Sequence, residues 1–327
     1  MNKKRVLSGI QPTGRLHLGN LIGAVENWVE LQKEYDCHFF IADFHALTTA
    51  YAETKTLKDD IREVAIDLLS AGIDPDKCVL FKQSDVPEHA ELHLIFSMIT
   101  PLPWLERVPT YKSKIAELKE KDLGTYGFLG YPVLQAADIL IYKANLVPVG
   151  EDQLPHLELT REIARRFNFL YKEVFPEPKA ALTKFPVLPG TDGRKMSKSY
   201  QNTIAISDPP ETVRKKVGIM VTDPARIKRE DKGHPDVCPV YAYYKVFAKE
   251  RTEAVAKDCR SAARGCVECK KELAGILADY LAPIHARRKK LEADPAYLEK
   301  VLAAGAAKAR QSAAQTLLEA KKAVGLA

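Results

Sequence analysis

The chain has 327 residues, 46% of them hydrophobic, and a formal net charge of +6. That is enough apolar material for one large domain or two moderate ones. There is no apolar run of the roughly 18 residues a membrane-spanning helix needs. The charged start leads only into Val6-Leu7, too short for a secretory signal, so a cytoplasmic protein is expected. In chain order, Arg5-Val6-Leu7-Ser8 reads as a strand and Gly9 to Gly14 as a loop rich in breakers. A helix is expected from near Gly19, carrying Leu21, Ile22, Val25, Trp28, Val29 and Gln32. Cys37 to Asp43 reads as a second, buried strand. From Leu57, apolar residues recur at Ile61, Val64, Ala65, Leu68 and Leu69, which is helical spacing, and Val79-Leu80-Phe81 is a third strand. Alternating strands and helices predict an α/β fold, a Rossmann-like doubly wound parallel sheet with right-handed crossovers. Residues 88–145 look mainly helical, with an insertion at about 88–130 between the two halves of the sheet. Val147-Pro148-Val149 is expected as a short strand, Asp152 to Phe167 as a helix and Phe185 to Leu188 as the last strand. Past Asn202 the strand signals fade into helices rich in Ala, Lys and Arg. The boundary is soft, and the expected division is a catalytic domain over 1–205 and an all-helical domain over 206–327.

Charge follows the same division. Residues 1–200 hold 25 Lys and Arg against 27 Asp and Glu, whereas 201–327 hold 24 against 16. A near-neutral catalytic part joined to a polyanion-binding part fits this balance. A solvated Lys/Arg helical surface fits it equally.

Two short polar signatures carry the chemistry. Gly9-Ile10-Gln11-Pro12-Thr13-Gly14 and His17-Leu18-Gly19-Asn20 run from a strand through a glycine loop into a helix. Glycine lets backbone approach a ligand closely, and a helix start offers free N–H groups to phosphate. Gln11 and Thr13 add polar side chains, and His17 can donate to a phosphate oxygen that gains charge. By itself this stretch is equally an ordinary strand–helix turn. Far downstream, Lys195-Met196-Ser197-Lys198-Ser199 follows Gly190-Thr191-Asp192-Gly193-Arg194. Two lysines on a Gly-rich loop can close over a triphosphate and stabilise pyrophosphate as it leaves. Taken singly it is a solvated loop, but the pair, in this order, points to activation of a carboxylic acid by ATP.

On these residues the chain resembles the class I aminoacyl-tRNA synthetases, with Asn20 in place of the second histidine of their first signature and the second signature complete. Within that class, Ser8 to Gly14 (SGIQPTG), Tyr131 to Asp138 (YPVLQAAD) and Val147 to Gln153 (VPVGEDQ) resemble the bacterial-type tryptophanyl-tRNA synthetases. The resemblance implies an ATP-dependent tryptophan–tRNA ligase working through an acyl-adenylate, with ATP and Mg²⁺, L-tryptophan and tRNA(Trp) as partners. It also implies a homodimer formed through the insertion. It places Asp138 as the acceptor of the indole N–H, and the chemistry agrees, because the indole only donates and a phenylalanine leaves the carboxylate unpaired. Val147 and Val149 resemble the apolar pocket wall, His45 a residue lining the amino-acid site, Gln153 the holder of the amino group, and Tyr131 and Gly9 further members of the pocket. Gln135 stands where bacterial relatives often have methionine. Gly150, Glu151 and Asp152 resemble the ribose-binding turn, although acidic residues in a first helical turn also suit the helix dipole. Val187 is expected against adenine. Gln11, Pro12, Thr13, Gly19, Asn20, Met196, Ser197 and Ser199 are expected to line the ATP site. Lys195, Lys198, His17, Lys112 and Lys114 would carry catalysis, acting by charge alone. The readings left beside this one are the tyrosine enzyme of the same subclass and a non-catalytic tRNA-binding paralogue.

Cys238, Cys259, Cys266 and Cys269 crowd into one basic stretch with spacings of 20, 6 and 2 intervening residues. Four thiolates suit an iron–sulfur cluster or a tetrahedral zinc. The array resembles that of the subset of these synthetases with a [4Fe-4S] cluster, which has a slightly longer first spacer, so a cluster is expected first and zinc second. Cys37 and Cys78 fall in apolar runs and read as core thiols.

Overall fold

A computed structural model of the chain describes residues 3–109, 111–112, 123–182 and 188–327. Five parallel strands form one sheet: β1 (Arg5–Ile10), β2 (Asp36–Ile41), β3 (Val79–Lys82), β4 (Leu146–Val149) and β5 (Lys179–Leu182). Their order is β3-β2-β1-β4-β5. Arg5 lies beside Asp36 and Ile10 beside Ile41, Val6 pairs with Leu146, and Leu146 with Lys179. The chain therefore leaves β1 toward one edge and returns across it to β4. The crevice at the carboxyl ends of β1 and β4 is the topological switch point, where doubly wound sheets bind ligands.

Side chains alternate across the sheet. Val6, Cys37, Phe39 and Ile41 pack into one buried layer with Trp28, Val64 and Leu68. Leu7, Phe40 and Phe81 pack into the other with Phe96, Ile139, Leu140 and Ile163. Burial pushes the Cys37 and Cys78 thiols up to about 12, which makes both inert.

Several elements differ from expectation. β2 stops at Ile41, and Asp43–Ala50 is a helix, so Asp43 opens a helix instead of ending the strand and His45 stands in its first turn. A 3₁₀ turn, Glu151–Gln153, precedes the Leu154–Leu170 helix. The fifth strand is Lys179–Leu182, which was not expected, and residues 185–187 of the strand expected at Phe185 to Leu188 lie outside the described residues. The Lys-Ala-Ala-Leu strand is short and only partly apolar, which leaves little signal in the sequence.

After residue 206 two long helices tie the chain back to the sheet layers. The 27-residue helix Cys266–Glu292 packs on Leu57–Ala71 and on Pro210–Gly218. The helix Pro295–Ala323 lies directly on β3. There Gly305 is pressed against the Leu80 backbone so closely that any Cβ would overlap the Leu80 carbonyl. Ala306, Ala309 and Ala313 of that helix join the same buried layer as Phe40 and Phe81.

Candidate active site

The two polar signatures meet at the switch point. After β1, His17 caps the Leu18–Asn20 turn: its Nδ1 accepts from the Asn20 N–H at 3.2 Å, and Asn20 Oδ1 accepts from the His17 N–H at 3.1 Å. With Nδ1 an acceptor, a neutral ring must carry its proton on Nε2. Burial, then the charge of Lys198, lowers the His17 pKa to about 4, so the ring is neutral at ordinary pH and still donates through Nε2. Opposite it, Lys198 Nζ donates to the Gly14 carbonyl at 2.7 Å and approaches Thr13 Oγ1 at 3.4 Å. Burial lowers the Lys198 pKa to about 8, against the pull of Asp60 and Asp67 in the other direction.

Asn202, which no motif marked, shapes the downstream loop. Its Nδ2 donates to Asp192 Oδ1 at 2.7 Å and to the Lys195 carbonyl at 3.1 Å, and its Oδ1 accepts from the Ser197 N–H at 2.8 Å. Arg194 closes the turn on Asp192 and lies over the Tyr200 ring, 4.1 Å from its centroid. The loop that carries Lys195 is thus held in shape by side chains around it.

Two cavities share this wall. One, of about 530 Å³, is lined by Gln11, Pro12, Thr13, His17, Asn20, Asp60, Met196, Ser197 and Lys198. The other, of about 1150 Å³, reaches from Gly9, Gln11, His17, Gly19 and Asn20 past Lys195 and Met196 to Val147, Val149, Gly150, Glu151, Asp152 and Gln153, and on to His45, Tyr131, Gln135 and Asp138. A volume beyond the ~300–1,000 Å³ of a single-ligand pocket has room for two substrates. At Gly9 a Cβ would stand 2.5 Å from the Phe40 ring, so only glycine fits between that ring and the cavity.

Asp138 forms the inner end. It sits on the helix Tyr126–Ile141, is 1% exposed, and accepts from three side chains. His45 Nε2 donates to its Oδ2 at 2.7 Å, while Gln83 Nε2 at 2.7 Å and His89 Nδ1 at 2.6 Å donate to its Oδ1. The far nitrogen of His89 lies 2.7 Å from the Tyr142 hydroxyl, which fixes the ring. Burial alone would raise the Asp138 pKa, but the hydrogen bonds and charges of His45 and His89 overbalance it and hold it at about 2. The group is therefore an obligate acceptor, and Oδ2 keeps one lone-pair site beyond His45. On the cavity wall the Tyr131 hydroxyl and His156 Nε2 are hydrogen-bonded at 2.7 Å. Near the mouth Gln153 Nε2 donates to Asp152 Oδ2 at 3.2 Å. Gln83, His89, Tyr142 and His156 carry no sequence signature, because four separate elements bring them together.

Other expected residues stand apart. Lys112 is exposed and lines neither cavity. Lys114 and Val187 lie outside the described residues, as does the Ser199 side chain. Cys238, Cys259, Cys266 and Cys269 are all partly buried. Burial first, and then neighbouring thiols, raise the pKa of Cys238, Cys259 and Cys269. Arg226 Nη1 lies 3.9 Å from Cys259 Sγ. Four thiols are a suitable donor set, but among the described residues no group of three or more Cys, His, Asp or Glu side chains is set at metal-ligand spacing, so the expected ligand cage is not formed. Among the same residues no helix is long and apolar enough to cross a membrane.

The family model "tRNA synthetases class I (W and Y)" matches residues 1–282. The chain is 54% identical to the tryptophan–tRNA ligase of Thermotoga maritima, covering 98% of this chain and 99% of the relative. It is 47% identical to that of Aquifex aeolicus, covering 98% and 100%. Its structure superposes on that of the tryptophanyl-tRNA synthetase from Campylobacter jejuni complexed with ADP and tryptophan, with a TM-score of 0.89 at 37% identity, covering 98% and 100%. The tyrosine alternative falls with these likenesses, and the chain belongs to the class I tRNA synthetases, in their tryptophan branch, as an ATP-dependent tryptophan–tRNA ligase.

Proposed function

We propose that the two cavities are one working site in which Asp138 selects tryptophan and the paired signatures activate it. The observation that carries this is the buried Asp138 carboxylate, kept ionised at the end of a cavity whose other end is His17, Lys195 and Met196. The indole N–H donates to the open site on Oδ2, Val147, Val149, Gly9, Tyr131 and His45 enclose the ring, and Gln153 holds the amino group. MgATP enters over Gln11 to Asn20, its ribose on Gly150 to Asp152. The tryptophan carboxylate oxygen attacks the α-phosphorus, the bond to the bridging oxygen of the β-phosphate breaks, and pyrophosphate leaves. The terminal ribose hydroxyl of the tRNA then attacks the adenylate carbonyl carbon and AMP departs. Lys195, Lys198 and the Nε2–H of neutral His17 stabilise charge on the phosphates, and no covalent enzyme intermediate is needed. Lys112, Lys114 and Val187 keep the roles the resemblance gives them.

The test is amino-acid-dependent ATP–pyrophosphate exchange across all twenty amino acids. Tryptophan alone is expected to support it. In Asp138→Asn, where an amide replaces the anionic acceptor, kcat/KM for tryptophan is expected to fall about 10–100-fold, the worth of a charged hydrogen bond. An unchanged value would overturn the assignment.

The basic part over 206–327 is proposed to meet the tRNA, and the enzyme to act in the cytoplasm as a homodimer. Leu94, Met98, Leu102 and Tyr126 expose apolar surface within the insertion, as such a contact requires. The cysteine array is proposed to close around a [4Fe-4S] cluster, zinc being the second choice. The spacing of the four cysteines supports this. Protein purified without oxygen should be brown and contain iron and sulfide. A colourless protein with one equivalent of zinc would decide for zinc.

A further inference from the structure

Leu16, the residue before His17, has both of its backbone polar groups tied indirectly to one face of the helix Cys266–Glu292. Its N–H donates to Asp67 Oδ2 at 2.7 Å. The other oxygen of Asp67 accepts from Arg288 Nη1, whose Nη2 donates to Glu63 and whose Nε stands 2.8 Å from Glu292. On the other side, the Leu16 carbonyl accepts from the Ile206 N–H at 2.9 Å, and the Ile206 carbonyl accepts from His285 Nε2 at 2.9 Å. The Leu18 N–H closes the same ladder on the Ile204 carbonyl at 2.9 Å. His285 and Arg288 are three residues apart and share a helix face. Residues 204–206 continue directly from the Lys195–Ser199 loop and Asn202.

One helix therefore holds the roots of both nucleotide signatures. Asp67 is 0% exposed and Arg288 5%. Burying such a pair costs desolvation that a well-packed apolar pair would not, and here the pair orients one backbone N–H beside His17. We infer that His285 and Arg288 are positioning residues for adenylate formation, setting the Leu16–Leu18 segment, and with it His17, against the Lys195–Ser199 loop. Neither residue lines the cavities. They act through Asp67 and Ile206, and the inference rests on the site proposed above.

The experiment is single-turnover formation of tryptophanyl-adenylate from MgATP and tryptophan by the whole enzyme, with active sites titrated by burst amplitude. His285 is only half-buried, so His285→Ala should fold. Its rate per titrated site is expected to fall about tenfold to a hundredfold, the usual cost of a small misplacement, while KM for tryptophan stays at the parent value because Asp138 lies off this chain of bonds. His285→Gln, whose amide still reaches the Ile206 carbonyl, is expected to recover most of the rate. Arg288→Gln should lose more than Arg288→Lys, and exposed Lys290→Ala should match the parent. Should Arg288→Gln fail to fold, His285→Ala decides. A merely structural role would lower burst amplitude and melting temperature and leave the rate per site alone. Parent rates in His285→Ala, or loss confined to amplitude, overturn the inference. A parent enzyme with no tryptophan-dependent burst would instead overturn the reading of the site.

Discussion

Lys198 lies between Thr13, Gly14 and the Asp60 side chain, and burial brings its ammonium down to about 8. It is charged below that pH and neutral above it. If its charge steadies the departing phosphates, kcat/KM for ATP, which reports the free enzyme, should fall as pH rises through about 8. In Lys198→Arg that limb should vanish, since guanidinium does not titrate there. A profile flat through this region would remove Lys198 from the charge-stabilising role. His17 predicts the complementary silence. Its pKa in the fold is depressed from 6.5 to about 4, so it should add no limb in the usual histidine range. By the same sign, its contribution to stability is full above 6.5 and is lost as pH falls toward about 4. Thermal melts of the parent and His17→Gln should converge across that interval, and parallel curves would contradict it.

At the level of elements, the site is built by loops that strands and helices aim, and this decided what the sequence disclosed. The loop after β1 and the Lys195–Ser199 loop were legible because their chemistry is contiguous. Asp138, Val147 and Val149 were legible because short family-like stretches carry them. The support behind Asp138 was not: Gln83 comes from a turn after β3, His89 from the helix Glu88–Ser97, and Tyr142, which fixes His89, from the turn just past the helix that carries Asp138. Asn202 escaped for a related reason. It stands three residues past a recognised pentapeptide, and its three bonds point back into the loop. Asn202→Ala should free that loop, lowering kcat/KM for ATP about tenfold by loss of orientation while KM for tryptophan holds. Equal losses in both would mean a general collapse of the site instead. The edge strand β5 was missed because a strand paired on one side only can be short and weakly apolar.

For the whole molecule, the charge asymmetry separates two halves that the packing does not separate into two cores. Val6 and Trp28 share a buried layer with Tyr243, Leu277 and Ile284. On the opposite layer the helix Pro295–Ala323 reaches β3 through Gly305 and is pinned by Arg5 to Ser312, by Lys143 to Glu319 and by Arg310 to Glu88. Gly305→Ala must push that helix off the Leu80 carbonyl. It is expected to cost about 1–3 kcal/mol, as overpacking does, and denaturant unfolding would measure it. A variant as stable as the parent would show that the helix can slide.

That seating has a consequence for synthesis. The helix that packs on β3 follows it by more than 200 residues, so β3 leaves the ribosome well before residues 295–323 can cover it. A chain stopped before residue 295 is expected to bare the face of β3 that this helix covers, and binding of an apolar dye should rise on that truncation.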